Sequence, residues 1–363
     1  MLDKGKISAA QMGMMLFLAV VASGVMWIPG ISGKYAKADM WLSPLWASFA
    51  GLLTVLVAYR LHVLYPERTA IQYSEEILGR LSGKAVGLVI VLFYLHITGF
   101  IVRSYAEFIV ANFLHKTPIT AVIVTMILVS AFAVSGGVEV LGRTAQLFVP
   151  IFLIPVLFMP LLVREMKLGN VFPILEHGVI PSLQGALVPS GWFCEMFLMS
   201  FYLPFVHNQT KGMRASLVSL LGIMLLLTIV NLFILLVLGK QAPDFLFPVM
   251  VAFRYISIAD FFENMESLIM AIWIYGMFVK ISVFYYASVL GASQWLKMSE
   301  YRTLVLPLGV FVGVLSFWSF PDFNGIVQFN TFTFPFYATL IQTLLPLLLL
   351  GVGSIRRKRE RNA

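Results

Sequence analysis

The residues Val20-Val21-Ala22-Ser23-Gly24-Val25-Met26-Trp27-Ile28-Pro29-Gly30 lie inside the first long apolar segment of the chain, and they decide the fold prediction. A helix that crosses a bilayer must satisfy its backbone polar groups internally. An interrupted backbone is therefore tolerated only where it lines a cavity or holds a ligand. Ser23 and Gly24 fall roughly 22 Å into the span, at about 1.5 Å per residue. The stretch predicts an unwound turn at mid-membrane that forms half of a binding site.

The composition is that of a polytopic membrane protein. Of the 363 residues, 60% are hydrophobic and 12% are charged, whereas a soluble domain carries about 25% charged residues. Ten apolar segments are long enough to cross about 30 Å of hydrocarbon. They cover residues 8–33, 41–63, 83–113, 118–136, 143–163, 183–206, 213–238, 263–292, 302–319 and 332–354. The whole chain, 1–363, is therefore predicted to be a single all-α membrane domain.

The positive charges predict the orientation. If the N-terminus lies inside, most Lys and Arg residues fall on inner loops and on the basic tail, 355–363. This excess on the cytoplasmic side accounts for the net charge of +8 without a nucleic-acid-binding patch. Both termini are expected in the cytoplasm. Between the second and third spans, residues 69–79 place apolar side chains at helical spacing, which predicts a short interfacial helix.

No pattern typical of an enzyme or a metalloprotein occurs in the sequence. There is one cysteine, Cys194, which excludes an internal disulfide and a Cys-based metal site. We find no phosphate-binding loop, no zinc pattern and no catalytic Ser/His/Asp arrangement. We therefore expect no metal, no cofactor, no nucleic-acid partner and no catalysis.

The sixth span contains a counterpart of the opening stretch. Pro189, Ser190 and Gly191 weaken its helix, and Glu195 follows at about mid-depth. Matching breaks five spans apart predict a five-plus-five inverted repeat, about 8–163 and 183–354, with the ligand at the midplane. In such a fold the N-termini of the half-helices face the site, and their partial positive charge would favour a ligand carboxylate there. A Ser-Gly pair inside a span can also be explained without a break, because small residues allow two helices to pack closely.

The candidate site combines both breaks with Tyr94 and Thr98, which lie in the middle of span three. The predicted ligand-binding residues are Ala22, Ser23, Gly24, Val25, Tyr94, Thr98, Ser190, Gly191, Phe193 and Glu195.

Charged residues inside a membrane are costly, so each one needs a partner or a function. Arg103 and Glu107 lie four residues apart on one helical face and can pair, either for coupling or as a structural ion pair. Glu195 is a candidate partner for a ligand amine, a proton site or a partner of Lys280. Lys280 itself could replace a bound cation or extend toward the cytoplasmic surface.

Several short motifs in a fixed order carry a resemblance to a known family. They are Ile7-Ser8…Gln11, the break before Pro29, Asp39-Met-Trp-Leu-Ser43, Tyr65-Pro66, Glu76-Ile-Leu-Gly79, Arg103…Glu107 and Thr117-Pro118. Over essentially its whole length the chain resembles the B subunit of bacterial spore germinant receptors, an endospore germination permease family of the amino acid–polyamine–organocation transporter superfamily. The resemblance implies a LeuT-like fold with broken helices one and six. It also implies a location in the spore inner membrane, binding of a nutrient germinant, and A and C partner subunits.

Two departures from the family pattern concern the site. By the resemblance, Ala22-Ser23-Gly24 corresponds to the unwound turn of span one. Relatives often have Gly at both ends of this turn, whereas here the first position is Ala22. Relatives also often have Arg after the Pro, whereas here Gly30 follows Pro29. Gly191 to Glu195 resembles the turn of span six. Span five, from Thr144 to Val163, lacks the Lys that proton-coupled relatives can place there, although Lys280 could substitute for it.

The sequence therefore predicts a nutrient-sensing subunit that binds a small germinant, an amino acid, at mid-membrane. A proton-coupled amino-acid transporter is the main alternative, and a passive water or ion pathway is a third possibility.

Overall fold

The protein is a bundle of ten apolar helices in the residues that the computed structural model describes, 2–255, 265–320 and 322–362. The predicted start of span eight at 263 and the last residue of the tail lie outside these ranges. The ten spans are Ala9–Ala36, Ser43–Leu64, Arg80–Asn112, Ile119–Ser135, Val138–Phe158, Val179–Phe205, Gly212–Leu238, Met265–Trp295, Val305–Trp318 and Phe323–Lys358. Seven of the described helical stretches are long and apolar enough to cross a membrane, and Ile119–Ser135 and Arg302–Trp318 are shorter apolar helices. The first stretch, Ala9–Leu64, contains two of the predicted spans, which a 3-10 turn, Lys37–Leu42, separates.

The predicted interfacial helix is also present, as Ala70–Leu78. Thr69 caps its N-terminus in a reciprocal arrangement with Gln72, which satisfies donors that a helix start leaves unpaired. The boundaries of the two predicted repeats, 8–163 and 183–354, stay a prediction.

Span one lacks the predicted unwound turn. It is α-helical without interruption from Ala9 to Ala36, with Pro29 inside it. Gly24 lies against span seven, where an added Cβ would be 3.5 Å from Leu227 Cδ2, an ordinary van der Waals distance, and 3.2 Å from Ile28 Cδ1 of its own helix.

Span six changes helix type where the sequence indicated a weakness. It is α-helical over Val179–Cys194, despite Pro189, and becomes a 3-10 helix at Glu195–Leu198. A single α-helical turn and a second 3-10 segment complete the span. The change begins four residues after Gly191, and it places Glu195 at the discontinuity.

Span ten is irregular as well. Two π-helical segments, Phe329–Thr333 and Leu340–Leu344, interrupt its α-helix. Such turns are rare and occur frequently at functional sites.

The N-terminal segment before span one ties several helix ends together. Ile7 donates a backbone hydrogen bond of 3.0 Å to Phe205, at the end of span six. Asp3 is 7% exposed. Its carboxylate accepts hydrogen bonds from the backbone N–H of Gly5 at 2.8 Å, the backbone N–H of Val138 at 2.9 Å and the hydroxyl of Tyr286 at 2.9 Å. Asp3 thus connects the start of span five with span eight.

We expect Asp3→Ala to destabilise this end of the bundle. The substitution leaves three donors without their acceptor, and a buried unsatisfied donor costs about 1–3 kcal/mol. Thermal unfolding of the purified protein in detergent, followed by tryptophan fluorescence, should show a lower midpoint. Lys4→Ala is the control because Lys4 is exposed. Equal midpoints for the two variants would contradict the anchoring role of Asp3.

Candidate functional site

A buried ion pair lies at the discontinuity of span six. Lys280 Nζ of span eight is 2.7 Å from Glu195 Oε2 and 2.9 Å from Oε1. Both side chains are 1% exposed. Of the alternatives left open for Glu195, the structure shows the pairing with Lys280. The Lys280 ammonium also lies 5.3 Å from the ring centroid of Phe284, so it is enclosed and does not extend to a surface.

The pair borders a small enclosed cavity between spans one, three, six, eight and ten. The polar side chains that line it are Ser23, Ser104, Glu195, Lys280 and Asn330. The aromatic side chains are Trp27, Phe100, Tyr105, Trp192, Trp273 and Phe334. The free volume is about 10 Å³, which is roughly what one water molecule requires. A site with few polar groups among aromatic side chains is typical of small-molecule binding.

Two tryptophans connect span one to the neighbouring spans at this cavity. Trp192 Nε1 donates to Ser23 Oγ at 2.9 Å, and Trp273 Nε1 donates to the backbone carbonyl of Ala22. Ser23 therefore lines the cavity and Ala22 contacts Trp273 beside it, both on a continuous helix. Pro29 has no N–H, so the helix lacks the hydrogen bond that the Val25 carbonyl, one turn earlier, would otherwise accept.

Three residues of the predicted span-one set, Ala22, Gly24 and Val25, do not line the cavity. Gly24 faces span seven, and Val25 is half-buried against the apolar core.

The other predicted residues that lie away from the cavity serve packing or local hydrogen bonds. Tyr94 donates to Gln342 Oε1 at 3.1 Å, and Thr98 donates to the Tyr94 carbonyl at 2.6 Å. Ser190 bonds the Leu187 carbonyl within its own helix.

Gly191 and Phe193 hold span six against other helices. A Cβ on Gly191 would lie 3.0 Å from Pro335 Cα, so span ten packs there at backbone distance. Phe193 is fully buried and lies beside Gly51 of span two. Both residues shape the discontinuity without bordering the cavity.

Arg103 and Glu107 form the predicted ion pair, at 2.8 Å. The Arg103 guanidinium also lies 5.2 Å from the Phe317 ring centroid of span nine. The pair does not line the cavity and packs span three against span nine.

Cys194 precedes the discontinuity and is fully buried. Its sulfur accepts a hydrogen bond from Thr343 Oγ1 of span ten at 3.2 Å. In the part of the chain that the structure describes, no group of three or more His, Cys, Asp or Glu side chains could hold a metal ion.

Sequence reasoning missed most of the residues that line the cavity, among them Ser104, Trp192, Trp273 and Asn330. Trp192 follows Gly191 directly, so its position beside the break was a usable signal. Asn330 lies two residues before the predicted start of span ten. Ser104 follows Arg103 on span three, and a small polar residue there gave no distinct signal.

Comparisons with known proteins agree with this architecture. A family model described as "Spore germination protein" matches residues 6–324. Spore germination protein KB of Bacillus subtilis (strain 168) is 26% identical over 371 residues, covering 99% of this chain and 97% of the relative. Spore germination protein YndE of the same organism is 24% identical, covering 98% of both chains.

Solved structures show the same fold at low sequence identity. The crystal structure of MhsT in complex with L-phenylalanine has a TM-score of 0.70 at 14% identity and covers 94% of this chain and 89% of its own. The family match spans most of the chain. The chain therefore belongs to the family of spore germination proteins, as a multi-pass membrane protein with a LeuT-like transporter fold.

Proposed function

We propose that this chain is the nutrient-sensing transmembrane subunit of a spore germinant receptor. It binds a small germinant, an amino acid, at the cavity beside Glu195 and Lys280. It passes occupancy to A and C partner subunits in the spore inner membrane, with both termini cytoplasmic. The observation that carries the proposal is the fully buried ion pair at the discontinuity of span six, in a chain of this family.

The chemistry of the pair favours a zwitterionic ligand. Charges inside a membrane protein are costly to desolvate, and each must be compensated by an opposite charge. The carboxylate of an amino acid can replace Glu195 at Lys280, and its ammonium group can replace Lys280 at Glu195. The total charge of the site then stays zero whether the ligand is bound or absent. A ligand with a net charge would leave one group unpaired.

The cavity volume connects binding to movement. A space of about 10 Å³ holds about one water molecule, so an amino acid needs a wider arrangement of the same helices. A ligand that binds only the wider arrangement shifts the equilibrium toward it. We propose that this shift separates span six from spans one and eight and is what the partner subunits detect.

The comparisons support the ligand class indirectly. The MhsT structure of similar fold contains L-phenylalanine, and the curated relatives are germination proteins. Neither group consists of enzymes, which supports a binding role over catalysis.

A proton-coupled amino-acid transporter is the second candidate. A buried carboxylate beside an amine can take up and release a proton, and the fold is a transporter fold. The missing lysine in span five favours the receptor.

Substitutions that remove the ion pair separate a structural role from a ligand-binding role. Glu195→Gln or Lys280→Met alone leaves one buried charge and should cost about 3–5 kcal/mol of stability. The double variant Glu195→Gln/Lys280→Met leaves no charge, so most of the stability should return. We expect spores that carry the double variant with its partner subunits to lose the response to amino acids. The measurements are the midpoint of thermal unfolding and the germination rate.

Lys297→Met is the matched control, since it removes an exposed lysine that pairs with Glu75. It should leave the germination response unchanged. A stable double variant that germinates with an unchanged dose–response would mean that the pair is structural only.

Uptake assays distinguish the receptor from the carrier. We expect proteoliposomes that contain this chain alone to accumulate no radiolabelled L-amino acid when a pH gradient is imposed. Vesicles without protein and vesicles with the double variant set the baseline. Gradient-driven accumulation that the double variant abolishes would establish the transporter and overturn the receptor proposal.

A further inference from the structure

Span ten brings an asparagine into the cavity through a π-helical turn. Asn330 lies in the segment Phe329–Thr333, is fully buried and lines the cavity. Pro335 accounts for the local irregularity. The N–H of Phe334 donates to the Phe329 carbonyl, and Pro335 has no N–H. In an α-helix the N–H of Phe334 would donate to the Asn330 carbonyl, and in a π-helix an N–H at position 335 would do so. Here neither residue donates to that carbonyl.

The side chain of Asn330 is unsatisfied. Neither its Nδ2 nor its Oδ1 has a hydrogen-bond partner among the described residues. Buried amide groups are nearly always paired, so an exception requires an explanation. Ser104 of span three lines the same cavity, is 7% exposed and also has no partner for its Oγ among those residues.

Gln342 provides an internal comparison. It is also fully buried and lies in the second π-helical segment, Leu340–Leu344, of the same span. Its Oε1 accepts a hydrogen bond from Tyr94, its Nε2 has no partner among the described residues, and it does not line the cavity. The unsatisfied donor and acceptor of Asn330 thus occur together where a ligand would meet them.

We infer that Asn330, together with Ser104, binds the side chain of the ligand and sets its specificity. This inference rests on the proposed function. Glu195 and Lys280 take the ammonium and carboxylate groups, which leaves the side chain to the remaining polar atoms. Asn330 offers a donor and an acceptor, and Ser104 offers a hydroxyl. The ligand class is an amino acid with an uncharged side chain that both donates and accepts, a carboxamide or a hydroxyl.

Pairs of amino acids with similar shape test this assignment. They are L-asparagine with L-leucine, L-threonine with L-valine, and L-serine with L-alanine. Binding to the purified full-length chain in lipid nanodiscs can be followed by intrinsic fluorescence, because Trp27, Trp192 and Trp273 line the cavity. We expect the polar member of at least one pair to bind about tenfold or more tightly than its apolar partner.

Asn330→Leu should abolish that preference, since leucine keeps the approximate volume and removes both polar atoms. Gln342→Leu is the matched control and should keep the preference. If Asn330→Leu does not yield folded protein, Asn330→Ala and Ser104→Ala provide the same comparison, and each should reduce the ratio of dissociation constants.

The outcomes separate this inference from the proposed function. Binding of amino acids without a preference for the polar members, or an unchanged preference in the Asn330 variants, overturns the inference and leaves amino-acid sensing intact. If the wild-type chain binds none of these amino acids, the proposed ligand class fails and the assignment of Asn330 fails with it.

Discussion

The buried ion pair between Glu195 and Lys280 is the interaction on which the centre of this molecule depends. In a surrounding of low polarity, neither charge is tolerable without the other. Glu195 lies where span six changes from an α-helix to a 3-10 helix, and its carboxylate meets Lys280 of span eight. The tryptophan hydrogen bonds at Ala22 and Ser23 then attach span one to the same two helices. The three helices are therefore held in one mutual arrangement.

The same two helices are also connected at the end of the bundle that holds the N-terminus. Phe205, at the end of span six, accepts a hydrogen bond from Ile7, and Tyr286 of span eight donates to Asp3. Spans six and eight are thus connected at the ion pair, by the hydrogen bond from Tyr202 to the Val283 carbonyl, and through the N-terminal segment. A relative shift of these helices at the centre has to be accommodated by the N-terminal segment. This gives the fold a physical route from the cavity to one surface.

Much of the fold could be predicted because the bilayer imposes strong constraints on sequence. Long apolar segments predicted ten spans, and Pro189 to Gly191 predicted a break in span six that the structure has four residues later, at Glu195. The Ser23-Gly24 pair shows the limit of this reasoning. The same two residues are compatible with an unwound turn and with a continuous helix, and the structure shows the continuous helix.

The site was less predictable than the fold for a similar reason. Asn330 of span ten meets the cavity within a π-helical turn, and span ten packs at backbone distance on Gly191 of span six. No periodicity in the sequence encodes this tertiary contact. Tyr94 and Thr98 lie on span three, which borders the cavity, but their side chains bond to partners outside it.

The position of Cys194 gives the natural chain a chemical reporter. Its thiol is enclosed between the discontinuity of span six and Thr343 of span ten, and the sequence contains no other cysteine. A membrane-permeant alkylating reagent can reach the sulfur only when these two helices separate. The rate of alkylation therefore measures how often the bundle opens at this point, without engineered labels or a cysteine-free background.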